Sequence, residues 1–137
     1  MQQSLSTFSA HVVRIQRILR AATPQSLVLL DEVGSGTDPV EGAVLATAIL
    51  RRLARTTALT YATTHHGLVK DVAASEAGFV NASVEFDVQS LQPTYRLLWG
   101  VAGNSNALLV ADGLGFDSKV VADARQLVTE VGLEGCT

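Results

Sequence analysis

A chain of 137 residues with 47% apolar and 17% charged residues is long enough to bury a core and fits one compact domain. No apolar run approaches the roughly 18 residues of a spanning helix, and Arg14, Arg17 and Arg20 have no signal-peptide run behind them. A membrane span and a secretory leader are therefore excluded, and the chain reads as intracellular. Behind the net charge of −3, residues 1–30 hold three arginines and no acid while every carboxylate lies from Asp31 onward, which does not describe a surface that grips DNA all over, and a single cysteine, Cys136, excludes an internal disulfide and a cysteine-built metal site.

From Ser4 to Ala22 the apolar Phe8, Val12, Ile15 and Leu19 recur at helical spacing, with His11, Arg14, Arg17 and Arg20 on another stripe, which predicts an amphipathic helix. Thr23-Pro24 ends it. Ser26 to Leu30 is a short uninterrupted apolar run, the pattern of a strand buried on both faces, and it stops at Asp31. After the turn Gly34 to Thr37, Asp38-Pro39-Val40-Glu41 places an N-cap Asp, a first-turn proline and a capping-box Glu. The helix that follows is expected to reach about Arg55, with Val44, Leu45, Ala48 and Ile49 inward. Thr57 to Thr63 reads as a second buried strand, ending at Thr64-His65-His66, and residues 67 to 75 as a third helix.

Beyond it Val80, Ala82, Val84 and Phe86 alternate with polar residues, and Tyr95 to Trp99 follows Pro93, so these two read as an antiparallel pair at the edge of the sheet. Two helices, about 106 to 112 and 118 to 131, close the chain around Gly113-Leu114-Gly115. The predicted class is α/β, with a mainly parallel sheet, an antiparallel edge hairpin and a C-terminal helix pair. Two parallel strands make a poor sheet, so the chain is expected to be sticky or partly molten on its own.

Both polar clusters, Asp31-Glu32 and Thr64-His65-His66, fall at the carboxyl ends of parallel strands, where α/β sheets place ligands. Adjacent carboxylates after an apolar strand suit nucleotide hydrolysis: Asp31 would hold the water shell of Mg²⁺ and Glu32 would orient or deprotonate the attacking water. Each residue also has a plain structural reading. The acid pair could simply end a strand, Asp38 could be a helix cap, and a lone His after a strand is more often structural than catalytic. A metal-hydrolase site from His65, His66, Asp31 and Glu32 is disfavoured, because neighbouring histidines on extended chain diverge and no further ligand pattern completes the set. The arginine stripe reads as a solvated face. The closing helices are too acidic for a DNA-recognition pair, and packing or dimer contact suits them better.

Together these residues resemble the ATPase domain of the MutS family. The carriers are Ser6-Thr7-Phe8, Leu27 to Leu30 with Asp31-Glu32, Gly34-Ser35-Gly36-Thr37-Asp38-Pro39, and Ala62-Thr63-Thr64-His65. Residues 3 to 9, Asn81 to Asp87 and Pro93 to Leu98 are similar to the MutS2 branch in particular. The likeness covers 3–131 as the C-terminal part of a P-loop NTPase domain of the ABC type. It implies Asp31 as the Walker B residue on Mg²⁺ through water, Glu32 as the residue positioning the hydrolytic water, and His65 as the switch histidine. It also implies Ser6 and Thr7 as the signature segment offered to the ATP of a second subunit, with Gly34, Ser35, Gly36 and Asp38 in the loop crossing the dimer interface. A helix starting at Ser6 would present free N–H groups to an anion.

The implied cofactors are ATP and Mg²⁺, and the implied partners are a second MutS-type subunit and, through regions outside this chain, mismatched or branched DNA. Three departures qualify the likeness. No Gly-x-x-x-x-Gly-Lys-Ser/Thr loop occurs, because the only lysines, Lys70 and Lys119, follow Val69 and Ser118. His66 stands where the family usually has Tyr. The DNA clamp and lever regions and the small nuclease-like domain are also lacking. Met1 lies just upstream of the signature segment, so the chain reads as a fragment of a longer one that neither binds ATP tightly nor hydrolyses it alone. The alternative is a non-catalytic dimerisation or interaction module. Compartment, cytoplasm or an organelle such as the chloroplast, is not legible.

Overall fold

Helix α1, Gln2–Ala21, leads through Thr23-Pro24 into strand β1, Leu27–Leu30. Helix α2, Pro39–Thr56, crosses over to strand β2, Leu59–Ala62, which pairs parallel with β1 from Leu27↔Leu59 to Leu30↔Ala62. Helix α3, Gly67–Ser75, follows. The computed structural model describes the backbone of residues 2–131 and the side chains of residues 7–131, so Cys136 lies outside the described residues.

The chain divides at Phe79/Val80 into two compact units. In the first, Val28 and Leu30 of β1 and Val33 just beyond it pack with Ala46, Ile49, Leu50 and Leu53 of α2 and Val69 of α3. Ile15, Ile18 and Ala22 lie against this cluster from the α1 side. Both long helices therefore use one face of the sheet. The opposite face is bare: Leu27 and Leu29 are 61% and 68% exposed, and Leu59 and Tyr61 beside them are 50% and 48% exposed. The apolar run of β1 marks a strand buried on one face, not on both.

Two helix faces are rotated from their expected positions. In α1 the half-buried line is Phe8, His11, Ile15 and Ile18, which takes His11 off the arginine stripe and leaves Val12 and Leu19 exposed. In α2 the inner residues are Gly42, Ala43, Ala46, Thr47, Ile49, Leu50 and Leu53, while Val44, Leu45 and Ala48 face solvent. Gly42 and Ala46 are small where the loop after β1 packs onto the helix, since a Cβ on Gly34 would meet both. The cap of α2 is as read: Asp38 accepts hydrogen bonds from the N–H groups of Val40 (3.1 Å) and Glu41 (2.9 Å), with Pro39 in the first turn.

In the second unit, β3, Ala82–Asp87, and β4, Gln92–Trp99, form an antiparallel pair whose register shifts between Val84 and Phe86. Pro93 lies within β4, opposite Phe86. Among the described residues this hairpin is a two-stranded sheet of its own and does not extend the parallel pair. Helices α4, Ala107–Gly113, and α5, Ser118–Glu130, follow, joined by an ion pair of Arg125 with Asp112 at 3.1 Å. Asp117 caps α5 by accepting from Lys119 and Val120 N–H.

Candidate functional site

Because β1 and β2 run parallel, Asp31-Glu32 and Thr63 to His65 leave the sheet at the same edge. The ladder continues past the strand ends, with Thr63 N–H donating to Leu30 C=O (2.9 Å) and Val33 N–H to Thr63 C=O (3.1 Å). Side chains add to it. The Thr63 hydroxyl donates to Asp31 Oδ1 (2.6 Å), and the Glu32 N–H donates to Thr63 Oγ1 (2.8 Å).

The two carboxylates take different partners. Glu32 Oε2 lies 3.1 Å from His65 Nδ1, and the Ser35 hydroxyl donates to the same oxygen at 3.5 Å. A carboxylate can only accept, so this contact fixes a hydrogen on Nδ1 of His65. The pair is open to water, with side chains 69% (His65) and 52% (Glu32) exposed, and its value as an ion pair for stability is small. Glu32 has a φ of 51°, a left-handed conformation that costs a non-glycine residue about 1–3 kcal/mol, and this turn swings it away from Asp31.

The loop after Glu32 depends on two glycines. Gly34 (φ 85°) presses against α2, where a Cβ would meet Gly42 O at 2.4 Å. Gly36 (φ 91°) lies against α1, where a Cβ would sit 3.5 Å from Phe8 Cβ. The chain thus brings the loop to the residue that follows Thr7. Asp38 closes the loop by capping α2 through its Oδ1.

Of the expected site residues, Asp31, Glu32, Ser35 and His65 form one hydrogen-bonded cluster with Thr63, and Gly34 and Gly36 shape the loop beside it. The side chain of Ser6 lies outside the described residues. Its backbone does not open the helix, because α1 already runs from Gln2 and Ser6 falls in the second turn, where its N–H is taken inside the helix. His65 and His66 do not diverge: their ring centroids are 4.5 Å apart as the chain turns into α3. His66 is 8% exposed and its Nε2 has no hydrogen-bond partner among the described residues. Even so, no group of three or more His, Cys, Asp or Glu side chains is placed to hold a metal among the described residues. Asp31 is a single carboxylate with one oxygen anchored by a hydroxyl, and it could reach a Mg²⁺ only through the ion's water shell.

Thr63 is the one site residue not singled out individually by the sequence pattern. Its signal is positional, since it is the hydroxyl-bearing residue directly after Ala62, the register partner of Leu30. The open apolar hollow lined by Ala107, Val110, Ala111, Leu114 and Phe116 belongs to the second unit and carries no such chemistry. No helix among the described residues is long and apolar enough to cross a membrane.

A family model described as MutS domain V matches residues 1–132. Proteins named Endonuclease MutS2 are similar to the chain: that of Synechocystis sp. is 52% identical over 91% of this chain and 17% of its own length. Those of Halothermothrix orenii and Pelotomaculum thermopropionicum are 51% and 54% identical over 94% of this chain and 16% of their own lengths. The chain thus spans about one-sixth of the relatives it matches. With the family model covering nearly every residue and MutS2 relatives at about half identity, the chain belongs to the MutS family, as a domain V sequence of the MutS2 kind.

Proposed function

We propose that this chain supplies the Mg²⁺- and water-handling half of an ATPase site in a MutS2-like protein that acts on mismatched or branched DNA in repair or recombination control. The observation that carries the proposal is the division of the acid pair, with Asp31 anchored to Thr63 and Glu32 facing His65 and Ser35. Asp31 holds water of the Mg²⁺ shell, Glu32 orients the attacking water, and His65 senses the terminal phosphate. When bound, Mg²⁺ neutralises charge on the phosphate oxygens. Ser6, Thr7 and the Gly34 to Asp38 loop face a second MutS-type subunit, and DNA is held by other parts of the protein.

The exposed apolar sheet face of Leu27, Leu29, Leu59 and Tyr61 favours a second reading, a non-catalytic interaction module. A hybrid protein separates the two: the full-length Synechocystis relative with its matching segment replaced by this chain. The expected result is Mg²⁺-dependent ATP hydrolysis by the hybrid, lost by roughly 100-fold or more in Glu32→Gln with ATP binding retained. The isolated chain is expected to give no calorimetric ATP binding. A folded hybrid without turnover sinks the ATPase reading, and a change in the relative's turnover when the isolated chain is added in trans supports the module.

A further inference from the structure

The hydrogen bonds of Thr63 span four consecutive residues of the neighbouring strand end: Leu30 and Val33 through its backbone, Asp31 and Glu32 through its hydroxyl. A hydroxyl has one hydrogen. Because the Glu32 N–H donates to Oγ1, the hydroxyl hydrogen is directed elsewhere, and in the 2.6 Å contact it points at Asp31 Oδ1 as a donor. The two bonds therefore reinforce each other. One sets the direction of the Asp31 carboxylate, and the other holds the N–H of a residue whose left-handed φ of 51° would otherwise relax.

Thr64, identical in type and adjacent in sequence, does something different: its hydroxyl accepts from His66 N–H at 3.1 Å, a local turn contact. A branched side chain suits position 63 because its χ1 is stiff, so the hydroxyl is held ready without ligand.

We infer that Thr63 is a positioning residue for the proposed Mg²⁺ site, aiming the Asp31 carboxylate at the metal's water shell and fixing the turn that sends Glu32 to the attacking water. This inference rests on the proposed ATPase reading. Thr63 acts through Asp31 and Glu32, the two residues its hydroxyl bonds. Outer-shell partners that orient the groups around a bound metal typically contribute 10–100-fold to metal affinity or activity.

The experiment uses the hybrid protein with Thr63 intact and with Thr63→Val, Thr63→Ser and Thr63→Ala. Mn²⁺ affinity is measured by electron paramagnetic resonance in the presence of ADP, and kcat and KM for ATP are measured across a Mg²⁺ series. The expected result for Thr63→Val is roughly 10–100-fold weaker Mn²⁺ binding and a loss of kcat partly relieved by excess Mg²⁺, with KM for ATP unchanged. Thr63→Ser keeps the hydroxyl and recovers to within about threefold of the unaltered hybrid. Thr63→Ala removes the same hydroxyl and serves if Thr63→Val does not fold.

An active unaltered hybrid whose hydroxyl-less variants bind Mn²⁺ normally overturns the inference alone. So does a loss of activity that neither Mg²⁺ nor the Ser variant relieves, since that is the behaviour of a merely structural residue. A folded unaltered hybrid without turnover overturns the proposed function and this inference with it.

Discussion

Gly34 and Gly42 meet backbone to backbone: a Cβ on Gly34 would lie 2.4 Å from Gly42 O, and a Cβ on Gly42 would lie 2.2 Å from Gly34 O. The contact pins the loop after Glu32 to the first turns of α2, and neither position has room for a side chain. Gly34→Ala adds left-handed strain to an overpacked contact and is expected to destabilise the first unit by roughly 2–4 kcal/mol. Gly78→Ala is the control, because Gly78 has a similar φ of 89° but nothing within 4 Å of its Cβ position, so only strain of about 1 kcal/mol applies. Urea unfolding of both variants measures the difference, and equal losses would show that the close approach is not what matters.

Leu53 is fully buried in the cluster beneath β1. Leu53→Ala is expected to cost roughly 2–5 kcal/mol by removing packing and leaving a cavity. Leu45→Ala, on the exposed side of the same helix, should stay within about 1 kcal/mol. Thermal melts followed by circular dichroism test this, and a larger loss for Leu45→Ala would mean that α2 packs by its other face.

The bare sheet face of Leu27, Leu29, Leu59 and Tyr61 makes the isolated chain prone to bind apolar dyes and itself. Leu29 and Tyr61 are register partners, so Leu29→Lys combined with Tyr61→Glu places opposite charges side by side. The pair should lower dye fluorescence at least roughly twofold and shift sedimentation toward the monomer while helical content is kept. Unchanged fluorescence would locate the sticky surface elsewhere.

Asp87 ends β3 with its carboxylate accepting from the Ser90 hydroxyl (2.7 Å) and the Gln89 N–H (2.9 Å), which hold its carboxyl below the ordinary carboxylate value. A lowered folded-state pKa stabilises the hairpin fully above the ordinary carboxylate range, and that stabilisation is lost as pH falls through the folded-state pKa. Ser90→Ala removes the larger cause and should move the titration of Asp87 back up, with the Gln89 bond retained. Carboxyl-carbon NMR titration reads this directly, and coincident curves for the two proteins would refute it.

The ion pair of Arg51 with Glu76, which joins α2 to the end of α3 and raises the Arg51 pKa, is water-exposed and contributes to orientation more than to stability.

By itself the sequence determined whatever depends on neighbours a few residues away. Asp38-Pro39 started α2, the run from Gly67 to Ser75 formed α3 at the expected bounds, and the apolar stretch before Asp31-Glu32 set a strand that delivers two acids to its carboxyl end. Caps, breakers and period-3.6 patterns act locally, so they are visible in the chain before it folds. Tertiary structure decided the rest. Val44 and Leu45 are as apolar as Ile49 and Leu50, and only the close seat of the Gly34 loop on Gly42 and Ala46 turned the smaller residues inward.

Likewise β1 is apolar at every position, and it was the placement of α1 and α2 against Val28 and Leu30 that left Leu27 and Leu29 bare. The site followed the same logic. Thr63 and Thr64 are interchangeable as letters, and a bond across 32 residues to Asp31, made by the parallel register of β1 and β2, gave one of them its distinct position.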